Sequence, residues 1–306
     1  MSTNTSIAFE EATGPIDYGF TNDYMFRVIL QTNKKVLIGL VSALLHRSPE
    51  EITSVEVTNP MELGQRYDEK DFILDIKAVI NHNMIMNLEM QVVNRHDWPD
   101  RSLSYLCRSY DQLTRGQAYI TTLPVIHIGF LDYTPFTGSE EFYSEYLMMN
   151  KRTGKIYSDK FSLRVVDLTQ IKNATEEDKS HQIDYWAQLF KATTWEEVRK
   201  MAKENEYLEE ASKALFMMNA DDLARERSYA RADRMRYEQT LNMIISEKEN
   251  ALAEMEKTLV EKRNALAEKD NALAEKDNAL AEKDNALAEM SARIAELEAQ
   301  LRTKNK

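Results

Sequence analysis

The chain has 306 residues, 43% hydrophobic and 29% charged, enough apolar material for one or two domains with a proper core once a charged tail is set aside. Its net charge of −12 divides as 21 basic against 28 acidic residues over 1–200 and 18 against 23 over 201–306, which excludes a strongly basic nucleic-acid-binding domain and leaves any such affinity to a local patch. The lone Cys107 excludes an intrachain disulfide and a cysteine zinc cluster, and with neither a basic-then-apolar start nor an 18-residue apolar run, a cytoplasmic protein without signal peptide or membrane span is expected.

Residues 1–16 read as disordered or loosely attached, and a globular segment is expected over 17–219. A helix should open near Asp23, capped by Thr21 or Asn22. Phe26, Ile29 and Leu30, then Leu37, Leu40, Val41, Leu44 and Leu45, recur at helical spacing. They predict one long or two short helices ending before Pro49. A short strand is expected over 54–59.

Two strand-like runs follow, 72–80 and 84–93, around the polar tip Asn81-His82-Asn83, and together they read as an antiparallel hairpin. With the turn centred on His82, the pairs Ile80/Met84, Ala78/Met86, Ile76/Leu88 and Leu74/Met90 make one wholly apolar face. The other face pairs Lys77 with Asn87, Asp75 with Glu89, and Ile73 with Gln91. Directly opposed side chains sit about 5 Å apart, so Asp75 and Glu89 would repel. A divalent hard cation between them, protonation of one, or a one-residue slip in register each resolves the conflict.

A turn over 95–100 leads into a predicted helix over 100–119, with Pro99 suited to its start. Leu103, Leu106, Tyr110 and Leu113 form its apolar stripe, while Arg101, Tyr105, Arg108 and Gln112 share a polar one. Arg101 and Arg108 can contact phosphate with their guanidinium forks, or Arg101 can pair with hairpin carboxylates. The run 125–131 is a strand apolar on both faces, which makes His127 a satisfied core histidine. Two strands, 141–150 and 155–168, should surround a turn over 151–154 whose Gly154 supplies the special backbone angle.

From 178 onward the chain reads as helical. Arg225, Arg227, Arg231, Arg234 and Arg236 are interleaved with acids, which predicts a solvated helical connector over 220–249 held by i,i+4 pairs. Leucine or isoleucine then recurs every seven residues from Leu252 to Leu301, and AsnAlaLeuAlaGluLysAsp repeats at 264, 271 and 278. That period predicts a coiled coil over 250–306, or a single solvated helix. Its seam carries one strong apolar residue per heptad, so association would be weak or partner-dependent.

In order along the chain stand LeuAsp75, Glu89MetGln91, Arg101 with Tyr105, and Gly116GlnAlaTyr119. This set resembles the PD-(D/E)XK nuclease superfamily, and within it the Rpn recombination-promoting nucleases, a branch also labelled transposases in which Gln commonly replaces the motif's Lys. The likeness runs from about Asp17 to Tyr133 and extends less closely to Asn219. It implies an α/β fold: a restriction-endonuclease-like mixed sheet flanked by helices, here with a helical extension and a C-terminal coiled coil. It also implies Asp75, Glu89 and Gln91 as catalytic residues. Mg²⁺, or Mn²⁺, would be held by Asp75 and Glu89, with Asp23 as a further ligand. At the first helix Arg27 stands where the family has Lys.

Two functions are therefore expected in competition. One is a metal-dependent DNA endonuclease tied to recombination or mobile elements, with Arg101, Tyr105 and Arg108 contacting phosphate. The alternative is an inactive nuclease-like protein presenting a coiled-coil arm for a homo-oligomer or a partner helix.

Overall fold

The computed structural model describes residues 8–59, 76–136, 138 and 140–304. A mixed six-stranded sheet is ordered β1-β2-β3-β4-β6-β5. Its strands are β1 (Val55–Val57), β2 (Ile76–Ile80), β3 (Met84–Gln91), β4 (Val125–Leu131), β5 (Tyr143–Met149) and β6 (Ile156–Asp167). β1–β2 and β2–β3 are antiparallel, β3–β4 and β4–β6 parallel, and β5 runs antiparallel on the β6 edge.

The hairpin has the register expected from its pattern, with Ile76 opposite Leu88, Lys77 opposite Asn87, and Ile80 opposite Met84. Asn81 and His82 take φ of 49° and 55°, a left-handed turn that Asn tolerates better than most residues. The Asn81 side chain accepts from Ser54 N at 3.1 Å and donates to Glu51 O at 2.7 Å, fixing the tip against the start of β1.

Alternation along the strands divides the sheet chemically. Ile76, Ala78, Ile80, Met86, Leu88 and Met90, with Ile126, Ile128 and Phe130 of β4, belong to the main core. That face is covered by α1 (Asp23–Thr32), α2 (Lys34–Leu44), α5 (Ile183–Lys191), α6 (Trp195–Met201) and α7 (Glu206–Ala220). Asn22 caps α1 by accepting from Tyr24 N and Met25 N. Asn33 ends α1 and caps α2, which decides for two short helices. The opposite face lies under α3 (Trp98–Tyr110), and there Ile85, Leu106 and Val125 form a smaller cluster.

Three expectations need correction. Within the segment read as disordered or loosely attached, residues 8–16 are anchored: Ile16 N donates to Thr193 O at 2.8 Å, Gly14 N to the Glu196 carboxylate at 3.1 Å, and Ala12 is buried. α3 stops at Tyr110 rather than 119, because the Gln112 side chain bonds Ser109 O and both backbone groups of Leu123, closing the helix onto the approach to β4. Leu103, placed on the apolar stripe, is exposed.

By internal contacts the chain forms two units, Met1–Asn242 and Met243–Lys306. The first includes the start of helix α8 (Asp222–Lys304), which sequence assigned to a solvated connector. Its arginines are only partly as expected. Arg234 pairs with Glu238 four residues on, but Arg231 forms a tertiary pair with Asp23, and Arg225 reaches Asp17. α4 (Glu176–Ser180) is a short capped turn of helix. In the second unit the heptad leucines from Leu252 to Leu287 stand exposed along one helix.

Candidate active site

β3 carries Asn87, Glu89 and Gln91 on the α3 side of the sheet, two residues apart and so all on one face. All three are buried. On β4 their register partners are His127, Gly129 and Leu131. Gly129 is bare for a reason: a Cβ there would lie 2.1 Å from Cη2 of Trp98. The indole occupies that space, packed with Leu131 and Val165. Trp98 also begins α3, so this packing sets where the helix starts over the sheet.

From that start Arg101 reaches back to the strand, and its Nε donates to Glu89 Oε1 at 2.7 Å. Burial works against the guanidinium charge, but Glu89 beside it more than offsets this and holds the pKa above the ordinary arginine range. The guanidinium lies 5.2 Å from the Tyr105 ring centre, and Tyr105 stacks on His127 at 5.9 Å with planes 6° apart.

Burial holds His127 neutral. Asn87 Nδ2 lies 3.1 Å from Nδ1. An amide nitrogen only donates, so Nδ1 accepts and the ring proton sits on Nε2. That proton faces Glu89 Oε2 at 3.6 Å, too long for a full hydrogen bond. Burial, and then the Arg101 charge, push the imidazole down to about 3. His127 is fully buried, as a core histidine should be, but only its Nδ1 is satisfied: Nε2 has no hydrogen-bond partner among the described residues, which corrects the expectation of a fully satisfied ring.

Gln91 donates from Nε2 to Val93 O at 3.3 Å, and its Oε1 is buried with no hydrogen-bond partner among the described residues. Tyr133 lies close enough for Asp97 and Glu89 to act on it. Burial, then those two charges, raise its phenol above the usual range, so it is a neutral donor. Its hydroxyl and Asp97 Oδ1 also lack hydrogen-bond partners among the described residues.

The structure thus brings together Glu89, Gln91, Arg101 and Tyr105. Arg108 is exposed on α3. Asp75 lies outside the described residues. Asp23 is buried at the start of α1, where Arg231 engages both its oxygens, Nε on Oδ1 at 2.9 Å and Nη2 on Oδ2. Among the described residues no three His, Cys, Asp or Glu side chains are grouped to hold a metal ion. Sequence reasoning missed Trp98, Gly129, Asp97 and Tyr133. A glycine inside an apolar strand signals close approach by another group, and it was the available clue.

A mixed sheet flanked by helices, with a buried Glu-x-Gln at the end of its third strand, is the frame of a nuclease-like α/β domain. Residues 20–248 match the family described as PD-(D/E)XK nuclease family transposase, and the chain belongs to that family. The match takes in the first turns of α8 that pack on the domain. No curated protein and no solved structure gives a match. Among the described residues no helix is long and apolar enough to cross a membrane.

Proposed function

We propose that the protein is a metal-dependent DNA endonuclease acting in recombination or on mobile elements. The observation that carries this is the pairing of a buried carboxylate, Glu89, with the buried carbonyl oxygen of Gln91, which has no hydrogen-bond partner among the described residues, on the same strand face. The Glu89 carboxylate is a hard oxygen donor suited to Mg²⁺ or Mn²⁺, and Gln91 Oε1 beside it is placed to steer a water. Asp75, which lies outside the described residues, is the second carboxylate donor that the family pattern supplies. Asp23 can join only if its pair with Arg231 opens.

Glu89 and Asp75 would hold a divalent cation, which when bound would supply Lewis-acid polarisation of the phosphodiester and a lowered pKa for the attacking water. The chain's own residues do the rest. Gln91 keeps its amide nitrogen on Val93 O, leaving Oε1 to accept a hydrogen from that water and orient it. Arg101 supplies the positive charge that Gln91, standing where the superfamily motif has Lys, cannot. Its Nε holds Glu89 while the other edge of the guanidinium faces phosphate. Tyr105 and the exposed Arg108 extend that contact along α3.

The test is nicking of supercoiled plasmid with Mg²⁺ or Mn²⁺ by the native chain, Asp75→Ala and Glu89→Gln. Metal-dependent nicking lost in both variants supports the assignment, whereas nicking unchanged in them places the site elsewhere. A folded native chain that neither nicks nor binds metal in calorimetry would favour the interaction protein, for which the exposed heptad leucines are the natural surface.

A further inference from the structure

The hairpin formed by β5 and β6 extends past the neighbouring strand. Val125, the first residue of β4, pairs with Phe161, so residues 156–160 of β6 and the turn before them lie beyond the end of β4. The segment 146–158 reads TyrLeuMetMetAsnLysArgThrGlyLysIleTyrSer, with three cations and no acid in a chain of net charge −12. Lys151, Arg152 and Lys155 are all exposed at its tip. Large apolar side chains stand beside them: Tyr157 is 81% exposed, Met149 52% and Ile156 48%. The nearest acids lie below the tip, exposed Asp159 and Glu145, the latter held by Arg164 at 2.8 Å.

Charged residues on an edge strand ordinarily guard against pairing with other chains. That role does not call for exposed Met, Ile and Tyr beside the charges. Shifts of register at Met148 twist the ribbon, and Lys160 ties its base to the carbonyls of Ile120 and Thr122, so it is a braced projection.

We infer that this hairpin is a duplex-DNA contact, entering a groove as a two-stranded ribbon with its three cations on the flanking phosphates and the cross-strand pair Met149 and Ile156, which share one face, against the bases or sugars. The major groove admits a ribbon of this width. The inference rests on the endonuclease reading and adds a distance to it. Glu89 is level with Gly129 and Val165, and Val165 pairs with Ser144, six residues along β5 from Asn150 at the tip. At about 3.3 Å per residue the tip is roughly 20 Å from the level of Glu89. The hairpin therefore grips DNA about six base pairs from the bond being cut, at about 3.4 Å per base pair.

The test is fluorescence anisotropy with a fluorescein-labelled 30-base-pair duplex in Ca²⁺, across a salt series. It compares the full chain, the hairpin variant Lys151→Glu/Arg152→Glu/Lys155→Glu, and a control of equal charge change, Lys172→Glu/Lys200→Glu/Lys203→Glu. All are first checked for the native melting temperature. Tenfold or greater loss of affinity in the hairpin variant alone, with a salt slope shallower by about 3, is the expected result. Equal losses in hairpin and control variants, an unchanged hairpin variant, or no binding by the native chain would overturn the inference, the last pointing to a protein partner for the hairpin. Hairpin-dependent binding without plasmid nicking by the native chain would sink the endonuclease reading and leave the DNA contact standing.

Discussion

Gly129→Ala is the smallest change that should disturb the site from outside it. The new methyl would sit 2.1 Å from Cη2 and 2.2 Å from Cζ2 of Trp98, against about 3.5–4.0 Å for ordinary carbon contacts. The indole must therefore withdraw by roughly 1.5 Å. It cannot do so freely, since Trp98 is buried against Leu131 and Val165 and is the first residue of α3. Overpacking of this kind costs about 1–3 kcal/mol. For a unit of this size each kcal/mol lowers the melting temperature by about 2–4 °C. Urea titration and thermal melts of the native chain, Gly129→Ala, Trp98→Leu and the double variant form a cycle. The double variant should be more stable than the sum of the two losses predicts, by about 1 kcal/mol or more, because the smaller side chain makes room for the methyl. Because α3 also carries Arg101, plasmid nicking by Gly129→Ala should fall further than its folded fraction does. An unchanged melting temperature, or strict additivity in the cycle, would refute the claim that the indole fills the glycine's space.

His127 gives a pH signature. Its folded pKa of about 3 lies below the ordinary 6.5, so between these values the unfolded chain binds the extra proton. Its stabilising contribution is therefore complete above pH 6.5 and is lost as pH falls toward 3, at up to about 1.4 kcal/mol per unit. Urea titrations of His127→Gln should show a dependence shallower by one proton across that range, and matching slopes would mean that the imidazole is not held neutral. Arg101→Met removes the countercharge beside Glu89, whose side chain is only 6% exposed, and should cost about 3 kcal/mol or more. Adding Glu89→Gln to it should recover most of that loss in the same urea titration, and a loss below about 0.5 kcal/mol for Arg101→Met alone would show that the pair is not structural.

Much of the site was legible because strands enforce a period of two. Glu89 and Gln91 had to share a face, and the apolar alternation through Ile76 and Leu88 fixed the register that sets them there. The ordered motif set named the family, which the match over 20–248 then showed. Helix ends were less legible. Nothing local marks Gln112 as a stop, since it acts through Leu123, on the approach to the next strand. The fate of Asp23 was hidden for a similar reason: Arg231, its partner, lies 208 residues away.

By itself, then, the sequence determined what local periodicity and short-range chemistry can carry: the hairpin and its faces, the buried strand of His127, the seven-residue period of the tail, and the ordered motifs. Only the tertiary structure decided which charges meet. Arg101 could turn to phosphate or to a carboxylate, and its pairing with Glu89 follows from where Trp98 seats α3 over Gly129. The proton of His127 is likewise placed by Asn87 across the strand pair. Side chains this far apart in the chain are brought together by the packing of whole elements, and a buried charge takes whichever countercharge that packing delivers.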